Sequence, residues 1–122
     1  MRIQFYEDPI GEPRSREEVR FNQIGLFMHE DGRFVVGFDL TPFIERPSIQ
    51  VFVTDEAGEA VTSLTIIESI QTNFHLTMHL PADQSDGLYT VSALLYYQTM
   101  DNEKSVVDQI SKKLEASKPG EQ

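Results

Sequence analysis

Apolar and polar residues alternate with a period of two along most of the chain, and turn-forming residues interrupt the alternation at intervals. A period of two sends successive side chains to opposite faces of a strand, so the pattern predicts strands rather than helices. Val19 and Phe21 share one face, and Ile24, Leu26 and Met28 continue on the opposite parity. The phase slips at Asn22-Gln23, where the extra residue of a β-bulge would restore the facing. Asp31-Gly32 predicts a tight hairpin, because both turn positions need positive φ. Beyond it, Phe34, Val36, Phe38 and Leu40 alternate with Arg33, Val35, Gly37 and Asp39.

Residues 41–47 contain two prolines and read as a connection. Ile49, Val51 and Val53 form the next inward set, residues 55–59 a turn, and Leu64 and Ile66 a short strand over 61–67. Phe74, Leu76, Met78 and Leu80 alternate with Asn73, His75, Thr77 and His79, and residues 81–87 form another turn. Tyr89, Val91, Ala93, Leu95 and Tyr97 mark a long strand. Its other face carries Leu88, Leu94 and Tyr96, which predicts a central strand covered on both sides for part of its length. In the last segment Val106, Ile110 and Leu114 fit one strand face. Val107, Ile110 and Leu114 also fit a helix behind the capping-box string Ser105-x-x-Asp108. The strand is preferred, because the long strand before it needs an antiparallel neighbour.

Short strands separated by hairpin turns predict an all-β fold, an antiparallel sandwich of about seven or eight strands. The sandwich is expected over residues 18–115. Residues 1–17 form an arm or edge strand plus loop, and 116–122 a flexible tail. Gly87-Leu88-Tyr89-Thr90-Val91, just after an acidic turn, resembles the tyrosine-corner segment of immunoglobulin-like and fibronectin type III-like domains. The resemblance implies a Greek-key sandwich in which Tyr89 bonds backbone a few residues upstream. Val91 stands where an antibody domain would place its cysteine, and the chain has no tryptophan for the core position.

The chain of 122 residues suits one domain with its own core. It has no cysteine, which excludes disulfides, thiolate metal sites and a cysteine nucleophile. Twenty acidic residues face ten basic ones, a formal net charge of −10, so nucleic acid and anionic membranes are not expected partners. The densest basic cluster, Arg14, Arg16 and Arg20, is diluted by Glu12, Glu17 and Glu18. The start, MRIQFYEDP, lacks a secretory apolar run, and no window approaches the roughly 18 apolar residues of a membrane helix. A cytoplasmic location is the expectation.

Candidate chemistry is sparse. On a helix His75 and His79 could grip one metal ion. On the predicted strand they stand roughly 13–14 Å apart, too far to share a zinc. His29 is isolated in sequence from both. Asp83 and Asp86, Asp55, Glu56 and Glu59, and Asp101 and Glu103 give three acidic turns of the kind calcium prefers, yet aspartate is also ordinary turn chemistry. No G-x-S-x-G elbow or phosphate-loop string occurs, so no catalytic residue, metal or cofactor is assigned. A hydrolase with a distributed site remains the third reading.

The residues singled out instead are apolar and of outward parity: Val35, Phe52, Leu94 and Tyr96. On neighbouring strands they would form one exposed patch, a mark of interaction surfaces. They predict a non-catalytic module that binds a protein partner or its own copy. The alternative is a carbohydrate- or small-molecule-binding module, in which Tyr6, Tyr96 and Tyr97 would have to supply the stacking platform.

Overall fold

The computed structural model of the chain describes residues 12–29, 32–81 and 87–116. Among these residues seven strands run in chain order: β1 (Phe21–Met28), β2 (Arg33–Leu40), β3 (Ser48–Thr54), β4 (Ala60–Ile66), β5 (Asn73–His79), β6 (Gly87–Gln98) and β7 (Lys104–Ala116). These seven strands pair with one another antiparallel. One sheet has the order β1-β2-β5 and the other β4-β3-β6-β7, giving a two-sheet all-β sandwich. A 3₁₀ turn, Arg16–Glu18, precedes β1. No helix among the described residues is long and apolar enough to cross a membrane.

The inward sets read from the sequence make the core. Phe34, Val36, Phe38 and Leu40 of β2 face Ile49, Val51 and Val53 of β3 and Val91, Ala93 and Leu95 of β6, all buried. Burying each such side chain contributes about 1.5–3 kcal/mol, and this contact between sheets holds the layers together. Phe21 pairs with Leu40 and Gln23 with Asp39, so Asn22 is the extra residue of a bulge that brings Phe21 and Ile24 onto one buried face. Gly32 has φ 77°, as the β1–β2 hairpin requires; residues 30–31 lie outside the described set.

The β3–β4 and β6–β7 hairpins share one device. The Asp55 carboxylate accepts hydrogen bonds from the amides of Ala57 and Glu59, both at 2.9 Å. The Thr99 hydroxyl accepts from Asp101 at 3.3 Å and Glu103 at 3.1 Å. Side-chain oxygens that occupy turn amides in this way fix the loop without further partners.

The last segment is a strand, with one departure from the expected facing. Leu95 pairs with Asp108 but Tyr96 with Val106, so Val107 is a bulge residue. The bulge turns Val106 outward while Ile110 and Leu114 face the core. The alternation that faces Ile110 and Leu114 inward also aims Asp108 and Lys112 of β7 at the open edge of β1. Asp108 accepts from the Phe21 amide at 2.9 Å, and Lys112 donates to the Ile24 carbonyl at 3.3 Å. These bonds satisfy edge groups that would otherwise invite another strand. Ala116, expected in the tail, is the buried end of β7 opposite Gly87. Within the predicted arm, Arg14 bridges to Phe43 and its amide donates to the Pro42 carbonyl at 2.9 Å.

Candidate functional site

The four outward apolar residues do not form one patch. Val35 lies on β2 of the three-stranded sheet, whereas Phe52, Leu94 and Tyr96 lie on β3 and β6 of the four-stranded sheet, across the sandwich. The reason is strand order: the connection after β2 crosses to the other sheet, which a sequence does not display. Tyr96 is only 2% exposed. Lys104 stands over its ring, with Nζ 5.0 Å from the centroid, and donates to Gln50 Oε1 at 2.9 Å. Phe52 and Leu94 are half-buried. The tyrosine platform of the saccharide alternative is not assembled either, since Tyr97 is buried as well and Tyr6 lies outside the described residues.

Two other places stand out. The first is the outer face of the three-stranded sheet. Gly25 pairs with Gly37, and Gly37 with His75, so the middle of this face is a floor without side chains on two adjacent strands. Phe27 and Val35 pair on one side of the floor, and Gln23, Asp39 and Asn73 align on the other. Two adjoining hollows of about 400 and 190 Å³ share Gly25, Gly37 and His75 in their linings. Phe27 is 63% exposed, and its ring meets that of His29 edge-on at 5.0 Å. Sequence reading passed over this trough because period-two patterning scores glycine as neutral. A glycine inside each of two consecutive strands was the signal that could have found it.

The second is the end of the sandwich that carries the connections 41–47, 67–72 and 99–103. Ile44, Ile67 and Ile70 are 69, 65 and 71% exposed there, and Met100 is fully exposed. They are the most exposed large apolar side chains among the described residues. Beside Ile67 lies a cleft of about 390 Å³, lined also by Arg16, Glu45, Arg46, Glu68 and Tyr97. Arg16 makes a two-pronged ion pair with Glu45, at 2.7 and 3.1 Å, and its guanidinium stacks 5.0 Å from the Tyr97 ring centre. The Tyr97 hydroxyl donates to the Glu45 carbonyl at 2.8 Å. Arg16 holds the Glu45 carboxyl below its ordinary range through these hydrogen bonds, and its own pKa is raised by the same contact. Burial, then the nearby Glu45 charge, pushes the Tyr97 phenol up. The Ser69 amide donates to the Pro47 carbonyl at 2.8 Å, tying the 67–72 connection to the 41–47 one.

His75 and His79 sit on β5 in register with Gly37 and Arg33, on the outer face. Among the described residues, no group of three or more His, Cys, Asp or Glu side chains is placed to hold a metal ion.

No protein-family model matches the sequence, and no curated protein matches it either. Solved structures do share the fold. A family 76 glycoside hydrolase from a bovine Bacteroides thetaiotaomicron strain superimposes with a TM-score of 0.61 at 16% identity, over 80% of this chain and 20% of that enzyme. The β-glucuronidase of Bifidobacterium dentium, complexed with coumarin-3-O-glucuronide, gives 0.54 at 13% identity, over 80% and 18%. A glycosyl hydrolase family 2 member from Bacteroides cellulosilyticus gives 0.54 at 12% identity, over 80% and 15%. The chain thus spans a fifth or less of these proteins. At such identities the likeness concerns the fold.

Proposed function

We propose that the chain is a non-catalytic β-sandwich domain that docks onto another folded protein domain through the end bearing Ile44, Ile67, Ile70 and Met100. One observation carries the reading: four highly exposed large apolar side chains lie on the connections at one end of the sandwich. Apolar surface rimmed by charge marks interaction sites, and here Arg16, Glu45, Arg46 and Glu68 supply the rim. The fold neighbours support it indirectly, because in each of them a sandwich like this one is a small part of a larger chain.

The same proposal takes the sandwich as Greek-key and immunoglobulin-like. Three connections, after β2, β4 and β5, cross between the sheets, and Tyr89 is buried near the start of β6. Both features support a tyrosine corner at Tyr89.

Site-directed photo-crosslinking in the source cells tests the docking surface. A crosslinker at Ile70 is expected to trap a defined protein, and Ile67→Lys with Ile44→Lys should abolish the adduct. A crosslinker at Gln109, outward on β7, is the control. Equal labelling from both positions, or none from Ile70, refutes the docking end.

A further inference from the structure

Two glycines stand side by side in a paired ladder, and the fold requires neither. Gly25 and Gly37 are absent from the positive-φ residues. A β-carbon on Gly25 would meet no atom within 4 Å, and one on Gly37 would only touch His75 Cβ at 4.0 Å. Glycine inside a strand weakens it through backbone entropy and the missing side chain. With turn geometry and crowding set aside, paired glycines on adjacent strands leave room for close approach of something from outside.

The walls specify what approaches. Phe27 and Val35 offer an apolar side with an exposed ring, and Gln23, Asp39 and Asn73 face it across the floor. Among the described residues, none of the Gln23, Asp39, Asn73 and His75 side chains has a hydrogen-bond or ion-pair partner. The trough therefore joins one apolar surface to a row of uncommitted donors and acceptors. Linked sugar rings have the matching form: one ring can lay its flat C–H face on the aromatic side, and, across the roughly 13–14 Å that four strand residues span, the next rings present hydroxyls that donate and accept. No lysine or arginine lines the hollows, and a net charge of −10 disfavours an anion.

From this we infer that the trough floored by Gly25 and Gly37 binds a neutral saccharide. An extended peptide fits less well. The central strand β2 is already paired on both sides and has no backbone groups left to recruit a strand. A second copy of the chain would bring a further ten negative charges to the contact. The inference is independent of the docking end, whose cleft shares no lining residue with the trough.

Amide chemical shifts of the isotope-labelled full chain test it, with cellotetraose, xylotetraose and mannotetraose as neutral probes and trigalacturonate as the anionic control. At least one neutral probe should produce saturable shifts centred on Gly25, Gly37 and His75, and the control none. Phe27→Ala, at an exposed position, should weaken that binding roughly tenfold with the fold retained. Gly37→Val, which fills the floor, should weaken it at least as much. Ile67→Lys should leave it unchanged, so failure of the docking end and failure of the trough read out separately. No saturable shift with any neutral probe overturns the inference, as do shifts centred on another face. Shifts of the trough amides that follow protein concentration without sugar would assign the face to a second copy and overturn it too.

Discussion

The two outer faces of the sandwich are built from the same strand chemistry and end in opposite states. On the four-stranded sheet the polar groups answer one another. Ser92 and Ser111 hydroxyls meet at 3.0 Å, Lys113 donates to Thr90 at 2.9 Å, and Lys104 spans Gln50 and the Tyr96 ring. On the three-stranded sheet the polar side chains beside Gly25 and Gly37 answer nothing within the described chain, and Phe27 is left in solvent. A face whose groups are mutually satisfied gains little by binding, whereas open donors and acceptors above a bare floor can exchange their bonds to water for bonds to a ligand. Apolar residues of outward parity are therefore a poor guide to function by themselves. Tyr96 has become part of the structure, while Phe27 has not.

Aromatic truncation breaks this comparison most sharply. Tyr96→Ala should cost about 3 kcal/mol, because a nearly buried ring leaves a cavity beneath Lys104. Phe27→Ala should stay within about 0.5 kcal/mol of the parent. Denaturant unfolding of the two variants decides it, and similar losses would erase the distinction between the faces. Tyr89→Phe should cost about 1 kcal/mol if the buried hydroxyl serves a tyrosine corner; a neutral result would remove that assignment. Lys104→Met, which keeps most of the stem but deletes the charge, should cost roughly 0.5 kcal/mol in thermal melts. The smallest effect belongs to Glu45. Its folded pKa is depressed, so the Arg16 contact contributes fully above the ordinary carboxylate value and fades as pH falls through the folded one. The melting difference between the parent and Glu45→Gln should accordingly shrink on acidification below the ordinary glutamate range, and a difference that grows there would contradict the sign.

Much of the sandwich was legible because strand facing has a period of two and the core residues obey it. The Asn22 bulge and the inward sets of β2, β3 and β6 follow from local alternation, whereas the strand at the C-terminal end, whose pattern also fits a helix, followed from the neighbour that β6 needs. The bulge at Val107 was hidden, since valines at 106 and 107 allow either facing until the partner strand is known. Strand order was hidden too, and with it the separation of Val35 from Phe52 and Leu94. The trough escaped for a related reason. Gly25 and Gly37 lie twelve positions apart, and only the β1–β2 register makes them neighbours.

The most direct test of the central claim, that the glycine floor is kept open for a ligand and not for folding, is the stability of Gly25→Ala with Gly37→Ala. Both sites have room for a β-carbon and ordinary strand backbone, so the account predicts that each substitution stabilises the chain by about 0.4–1 kcal/mol in denaturant unfolding. A destabilised double variant would mean that the glycines serve the fold, and the contrast between the two faces would lose its foundation.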